Sequence, residues 1–365
     1  MTIAIIADVL DTQSTGIYTY LRQLLNTLYI NDQVNSYILI RPNASLEYPK
    51  WKQITVPISK HIPFHLRIRQ LQSIPKILSK LNVDVVFEPA HFGPFNLPKH
   101  IYRITMIHDL TPILFPKHHD YVSYLVHKLL LRRILKKSDR IIVNSKNTKK
   151  DVIQYESSTA DKIKIIYPGS SKIFKPTYNK SILRDYKIDS DYILYVGTLE
   201  PRKNLEMLVS SFEKLHESNP SLKLVLVGKK GWKIESLLKR IERSQAQSNI
   251  IMTGYVQAEH LPTLYSLAKV FVYPSIYEGF GIPLLEAMNC GTPIITSSNS
   301  SLEEVTGDCA RYINNEKELL QNLNEIISDK NLQQKMSQES LRRAKEFSWD
   351  NAHLSFTQLI NSLDT

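Results

Sequence analysis

The 365-residue sequence predicts an α/β protein of two domains, each a parallel sheet covered by helices, and three observations carry that prediction. Apolar runs of strand length alternate with amphipathic helical stretches along the whole chain, the pattern of parallel sheets with helical crossovers. The length exceeds what one hydrophobic core normally fills, so two domains of roughly 150–200 residues are expected. Between two series of strand candidates lies a stretch without one, residues 168–190, "PGSSKIFKPTYNKSILRDYKID", whose prolines and polar residues read as a linker.

The first series opens with "IAIIAD" and continues through "YILI", "VDVVFE", "RITMIHD" and "DRIIVNS"; the helices expected between these strands cover 17–30, 65–81, 121–137 and 146–155. The opening "MTIAIIADVL" has no basic n-region and meets Asp8 at once, so it reads as a buried strand and not as a signal peptide. In the helix after it, Ile17, Tyr20, Leu21, Leu24, Leu25 and Leu28 form an apolar face, with Ser14 or Thr15 as the cap. The second series runs "YILYVGTLE", "LKLVLVG", "NIIMTG", "KVFVYPS" and "TPIITS", with helices between. The last segment, "FSWDNAHLSFTQLI", has helical periodicity but no place left in the second sheet, and is expected to cross back to the first domain. The expected domains are 1–175 with 350–365, and 185–349.

A hydrophobic content of 42% with 22% charged residues is that of an ordinary soluble globular chain, and no run approaches the roughly 18 apolar residues of a membrane span. The two cysteines, Cys290 and Cys309, show no CxxC spacing, which fits a reducing cytosol and argues against a disulfide framework or a zinc site. Charge is distributed unevenly. Residues 1–180 hold 26 Lys and Arg against 12 Asp and Glu, and the remainder 20 against 23. Residues 51–80 carry Lys52, Lys60, Arg67, Arg69, Lys76 and Lys80 with no acid, interleaved with apolar residues from Phe64 to Leu78. That stretch reads either as a solvated basic helix over a core-facing stripe or as a surface resting on anionic lipid or a polyanionic acceptor.

Chemistry concentrates in four places. In "YPSIYEGFGIPLLEAMNCG", Tyr273 to Gly291, a strand ends and a helix starts at a glycine-flanked phenylalanine, with Pro283 in the first turn and Gly291 as C-terminal cap. The helix-start amides of Gly279, Phe280, Gly281 and Ile282 can meet an anion or hydroxyls, while Glu278 before the helix and Glu286 inside it can accept from sugar hydroxyls. A nucleotide sugar offers all these groups; the plainer reading has Glu286 complementing the helix dipole and Glu278 capping a turn. In "YVGTLEPRKN", Arg202 and Lys203 stand between a strand and a helix start, where cations oppose the dipole and want an anionic partner such as a diphosphate. Gly16, beside the first helix start, allows either phosphate contact or a plain turn. His108 and Asp109 end the strand of "RITMIHDLTPILFP", and His108 is either structural or at the ligand edge of the sheet. No GxxxxGK[ST] and no strand-linked GxGxxG occurs, so the usual marks of ATP hydrolysis and dinucleotide binding are missing.

Together these segments resemble glycosyltransferase family 4, the retaining nucleotide-sugar enzymes of GT-B fold, over nearly the whole chain. "YPSIYEGFGIPLLEAMNCGTPIITS" is similar to that family's donor-binding signature, with Glu278 and Glu286 as its E-x7-E pair, and "IHDLTPILFP" and "STGIYTYL" resemble the bacterial polysaccharide mannosyltransferases, including O-antigen enzymes. The resemblance implies two Rossmann-like, doubly wound domains facing across a cleft, the donor held mainly by the second and the acceptor by the first. It implies that Glu286 binds the ribose, that Glu278 with the amides of Phe280 and Gly281 holds the transferred sugar, and that Arg202 and Lys203 bind the diphosphate. It further implies that Gly16 lets the first domain close over the donor, that His108 faces the sugar, and that the base lies near Gly254, Tyr255 and Val256, largely on main chain. Many family members have an arginine after the glycine of the "VG" strand end; Thr198 stands there instead, leaving Arg202 the larger share of phosphate binding.

On this reading the substrates are GDP-mannose, with UDP-glucose and dTDP-rhamnose as rivals, and a glycan or polyprenyl-diphosphate-linked acceptor. Turnover is expected without a cofactor or metal, on the reading that the chain lacks the paired-aspartate motif of metal-dependent glycosyltransferases. Alanine at Arg202 or Lys203 is expected to lower turnover a hundredfold or more, the ~3–4 kcal/mol of one lost transition-state donor. The expected location is cytoplasmic, with peripheral contact to the anionic inner membrane face through the basic first domain. A GT-B nucleotide-sugar epimerase is the competing enzyme. Nucleic-acid binding is not expected, because the basic residues form no recognisable binding motif.

Overall fold

The structure, a computed structural model, describes residues 1–11, 16–59, 65–93, 96–119 and 121–363. Ser14 and Thr15, expected to cap the first helix, lie outside the described residues, as do Lys60 and Phe64 of the basic stretch. The chain divides into two compact units, Met1–Gly169 with Ser348–Thr365, and Ser170–Phe347.

The first unit is built on seven strands, β1 (Thr2–Ile6), β2 (Ser36–Arg41), β3 (Lys52–Thr55), β4 (Val85–Glu88), β5 (Tyr102–Ile107), β6 (Arg140–Val143) and β7 (Ile163–Ile165). They lie in the order β3-β2-β1-β4-β5-β6-β7, every pairing parallel. Both faces of the sheet are covered, as the unbroken apolar runs require. Ile3, Ile5, Leu39, Val85 and Phe87 point to one face, against Tyr20, Leu21, Leu24, Leu25 and Leu28 of the helix Gly16–Asn31. Ala4, Ile6, Ile38, Ile40 and Val86 point to the other, against Ile74 and Leu78.

The terminal helix, Trp349–Asn361, belongs to this unit. Ser348 caps it by accepting from the Asn351 amide, and Trp349, Ala352, Phe356, Leu359 and Ile360 are buried along one side. Its rings meet the first-unit core edge-on: Tyr20 and Trp349 have centroids 5.2 Å apart, Phe87 and Phe356 5.1 Å. Where the chain leaves the unit at Gly169 it touches the returning backbone. A Cβ on Gly169 would lie 2.3 Å from the Trp349 nitrogen, so no other residue fits there.

The second unit has six strands, β8 (Tyr192–Val196), β9 (Lys223–Val227), β10 (Ile250–Gly254), β11 (Val270–Tyr273), β12 (Ile294–Ser297) and β13 (Ala310–Ile313), in the order β10-β9-β8-β11-β12-β13 and again all parallel. Strand order reverses between β8 and β11. Loops leaving the carboxyl ends of those two strands therefore flank the crevice where open α/β sheets bind ligands. Those loops are "GTLEPRKN" and "PSIYEGFG".

Two expectations need correction. Residues 65–81 form no single helix: an α turn, His65–Ile68, passes through a π segment, Arg69–Ser73, into a second α stretch, Ile74–Leu78. Nor does Arg69 join a solvated or lipid-facing surface. It is fully buried, its guanidinium paired with Asp8 and its Nε donating to the Val56 carbonyl at 2.6 Å. Among the described residues no helix is long and apolar enough to cross a membrane.

Candidate active site

Lys203 and Glu278 meet at the reversal point of the second sheet. Arg202 and Lys203 end a 3-10 turn, Pro201–Lys203, after β8, and Asn204 then takes a left-handed conformation (φ 54°) to start the helix Leu205–His216. The two loops are laced together by main chain as well as side chains: the Ile276 amide donates to the Arg202 carbonyl at 2.8 Å, and the Arg202 guanidinium donates to the Tyr277 carbonyl.

Four charged side chains then form one network. The Lys203 ammonium donates to Glu278 Oε1 at 2.5 Å and to the Tyr273 hydroxyl at 2.9 Å. Arg202 Nη1 lies 2.9 Å from Glu278 Oε2, and its Nη2 donates to Glu200 Oε1 at 2.6 Å. Two cations and two carboxylates thus balance in a nearly dry setting, with Lys203, Glu200 and Glu278 all buried. Burial alone would raise the Glu278 carboxyl, but the neighbouring Lys203 and Arg202 charges more than offset it and hold the pKa down at about 2. Burial pulls the Lys203 ammonium below its ordinary value, with Glu278 opposing. Arg202 is pushed up: Glu278 and Glu200 outweigh its desolvation. The anionic partner that two cations at a helix start demand is supplied from within the chain.

The loop carrying Glu278 is fixed from behind. The Glu278 amide donates to Ser300 Oγ at 3.0 Å, and the Ser301 hydroxyl lies 2.9 and 3.0 Å from the carbonyls of Glu278 and Phe280. Phe280 is buried, with its ring edge-on to Phe347 at 5.7 Å. Gly281 turns the chain into the helix Ile282–Asn289 with φ at 99°, a conformation that favours glycine. Pro283 occupies its first turn. At the far end Gly291 is left-handed (φ 70°), and the bonds Gly291 N–H to Met288 O (3.1 Å) and Thr292 N–H to Ala287 O (3.0 Å) complete a Schellman cap. One turn into that helix Glu286 accepts from the Tyr265 hydroxyl at 2.9 Å and stands outside the Glu278 network. Burial pushes its carboxyl up to about 7, with the Tyr265 bond opposing, although the side chain keeps some solvent exposure.

The other expected residues lie elsewhere. Gly254 ends β10 in the left-handed region (φ 68°), its carbonyl accepting from the Gly228 amide at 2.9 Å; Tyr255 beyond it is 69% exposed and Val256 is buried. Gly16 and His108 belong to the first unit. A Cβ on Gly16 would meet no described atom within 4 Å, so nothing described around it requires glycine. His108 is buried at the end of β5; its Nε2 donates to the Pro89 carbonyl at 2.8 Å, leaving Nδ1 as the ring acceptor, and burial lowers its pKa. The His108 amide in turn donates to His91 Nε2 at 2.9 Å. Its neighbour Asp109 accepts from the Thr111 amide at 2.8 Å.

Sequence reasoning missed Glu200, Tyr273, Tyr265 and the Ser300–Ser301 pair. Glu200 and Tyr273 sit within the two quoted motifs and are signalled by the need of adjacent cations for acceptors; Tyr265 and the serines come from distant segments and left no local sign. The reading that no aspartate pair exists also needs correction. Asp189–Ser190–Asp191 has the D-x-D spacing. Both carboxylates precede β8, at the amino edge of the sheet and opposite the ligand-binding side, and each is paired with a lysine, Asp189 with Lys223 and Asp191 with Lys269. Among the described residues no group of three or more His, Cys, Asp or Glu is placed to hold a metal.

Two parallel-sheet units, with a glycine-flanked helix tip and a cation–carboxylate network at the crossover of the second, define the GT-B class of glycosyltransferases. Family comparison agrees: residues 17–170 match the model described as "Glycosyltransferase Family 4" and residues 181–343 that described as "Glycosyl transferases group 1". The chain belongs to this glycosyltransferase family. It is 34% identical over 283 residues to O-antigen chain mannosyltransferase B of Escherichia coli, covering 74% of this chain and 73% of that protein. Serotype-specific mannosyltransferase WbdA of Escherichia coli is 29% identical over 371 residues, 93% of this chain but only 45% of that longer protein. Among solved structures, Anabaena Alr3699/HepE in complex with UDP-glucose superposes with a TM-score of 0.77 at 16% identity, over 99% of this chain and 100% of that one.

Proposed function

We propose that the chain transfers mannose from GDP-mannose, with retention at the anomeric carbon, to a lipid-linked or growing surface-polysaccharide acceptor. The observation that carries this reading is the Glu278 carboxylate, clamped between Lys203 and Arg202 at the tip of the Gly281 helix, in a chain whose relatives bear O-antigen mannosyltransferase names. Glu278 is held ionised and oriented, ready to accept from hydroxyls of the transferred sugar beside the first-turn amides. Glu286 takes the ribose hydroxyls, and the exposed main chain at Gly254–Tyr255 takes the base.

Charge development assigns the remaining roles. As the bond between the anomeric carbon and phosphate breaks, positive charge grows on the sugar and negative charge on the nucleoside diphosphate. A third N–H of Lys203, the more exposed Arg202 and the helix-tip amides stabilise that leaving group where its charge appears. The acceptor oxygen bonds the same face of the sugar, and its proton passes to the departing phosphate oxygen. These groups supply the electrostatics without a metal, so turnover should survive chelation by EDTA.

UDP-glucose is the second donor reading, favoured by the HepE complex. A thermal-shift and turnover panel across GDP-, UDP- and dTDP-sugars separates them, because a ligand at a hundred times its Kd stabilises the folded form by about 2.7 kcal/mol. GDP-mannose should give the largest shift and release GDP only with acceptor, yielding an α-linked product by NMR. A shift confined to UDP- or dTDP-sugars overturns the mannose assignment, and conversion of the donor sugar without acceptor overturns transfer in favour of epimerisation. An acceptor on a lipid carrier would place the enzyme at the inner face of the cytoplasmic membrane.

A further inference from the structure

His108 follows β5 at the carboxyl edge of the first sheet, the edge at which open α/β sheets meet ligands. Its Nε2 meets the Pro89 carbonyl at 2.8 Å, its amide donates to His91 Nε2 at 2.9 Å, and its carbonyl accepts from the Thr148 hydroxyl at 3.3 Å. The ring is held as well: it lies on the His91 ring, with centroids 5.7 Å apart and planes at 29°, and edge-on to Tyr20 at 5.4 Å. Nδ1 is the group left for a ligand.

His91 reaches His108 from a costly backbone conformation. It is a buried residue with φ at 72°, in the left-handed region, where a side chain this bulky persists only if its surroundings over-determine it. The loop after β4 does so. The Ala90 amide donates to the Glu88 carboxyl at 2.9 Å, the Phe92 amide to the Ala90 carbonyl at 2.9 Å, and Gln70 Nε2 to the Phe92 carbonyl at 2.9 Å.

The two contacts to His108 fix where the ring hydrogens sit. A backbone amide can only donate, so His91 Nε2 bears no hydrogen and that ring is neutral; a carbonyl can only accept, so His108 carries a hydrogen on Nε2. The titratable neighbours are Tyr20 from the first helix, Asp109 beside His108, and His127 from the helix Tyr121–Lys137, whose ring is edge-on to His91 at 5.9 Å. Burial pulls His91 down to about 3, with His108 and His127 adding to it and Asp109 opposing. Burial lowers His108 too, against the Pro89 carbonyl and Asp109.

We propose that His91 is a positioning residue which, with the Pro89 carbonyl, locks His108 as a neutral ring with its hydrogen on Nε2, so that Nδ1 serves only to accept a hydrogen from a sugar hydroxyl. Its identity as a sugar hydroxyl rests on the transferase reading; the lock itself does not. NMR of the ring nitrogens in the donor-free full chain, labelled with 15N-histidine and assigned with His91→Gly and His108→Gln, tests it from pH 5 to pH 8. In wild type His108 should show the Nε2–H form and His91 the Nδ1–H form, and neither should titrate. Glycine takes a φ of 72° freely, so His91→Gly keeps the loop while removing the acceptor and the stacked ring. Water entering that space should return His108 toward its ordinary value of ~6.5, so its neutral fraction falls about fourfold from pH 8 to pH 6. The kcat of that variant at saturating donor should fall with it, an acid limb that His108 does not impose on wild type.

A wild-type His108 with its hydrogen on Nδ1 or charged at pH 6, or one whose tautomer and titration are the same in His91→Gly, would overturn the lock. The predicted ring states without any sugar transfer would support the lock and count against the function reading alone.

Discussion

Replacing Glu278 by Gln removes the charge on which the second-unit network is centred, and its cost can be worked from the structure. Lys203 and Arg202 hold this carboxyl at about 2 against an ordinary value of 4.5. That difference corresponds to about 3 kcal/mol of folding stability at neutral pH. Because the folded value is lowered, the stabilisation is complete above about pH 4.5 and is lost as pH falls toward 2. For a unit of this size 1 kcal/mol moves the melting temperature by about 2–4 °C, so Glu278→Gln should melt about 6–12 °C below wild type at pH 7. By pH 3 the wild-type carboxylate in the unfolded chain is already protonated, and the gap should shrink to about half. Calorimetry of donor-free protein at pH 7, 5 and 3 makes the comparison. Equal melting at pH 7, or a gap that stays constant into acid, refutes the claim that Lys203 and Arg202 clamp an ionised Glu278.

Further outcomes follow from the same geometry. Arg202→Ala and Lys203→Ala should each lower kcat about a hundredfold or more, worth ~3–4 kcal/mol of leaving-group stabilisation, measured on protein shown by its melting curve to be folded. If only the Glu286 carboxylate form accepts from ribose hydroxyls, a pKa of about 7 makes donor affinity rise about tenfold from pH 6 to pH 8. Titration calorimetry should show that slope in wild type and a flat profile in Glu286→Gln. Gly281→Ala forces a side chain into the left-handed region, with its Cβ 3.2 Å from Leu284 Cδ1 and 3.3 Å from Leu302 Cδ2, and should cost about 1–2 kcal/mol in urea unfolding.

Much of this architecture was written locally. Central strands such as β1, β8 and β11 are buried on both faces and so must be continuous apolar runs, which is why "IAII", "YILYV" and "VFVY" stand out. The strands that escaped notice, β3, β7 and β13, all lie at sheet edges, where "KQIT", "IKI" and "ARYI" can mix polar with apolar residues. Pro283 and Gly291 revealed the helix Ile282–Asn289 because each has one backbone role. The ion network was half legible: two adjacent cations at a helix start signalled an anionic partner, but only the fold brings Glu278, 75 residues away, onto Lys203. Arg69 misled for the converse reason, since its pairing with Asp8 spans 61 residues and periodicity carries no trace of it.

Crystals of the chain soaked in GDP-mannose test the central claim most directly. The account predicts the mannose hydroxyls on Glu278 beside the amides of Phe280 and Gly281, the ribose on Glu286, and the diphosphate within reach of Arg202 and Lys203. A nucleotide found elsewhere, with the Lys203–Glu278 pair undisturbed and its surroundings occupied only by water, would contradict it.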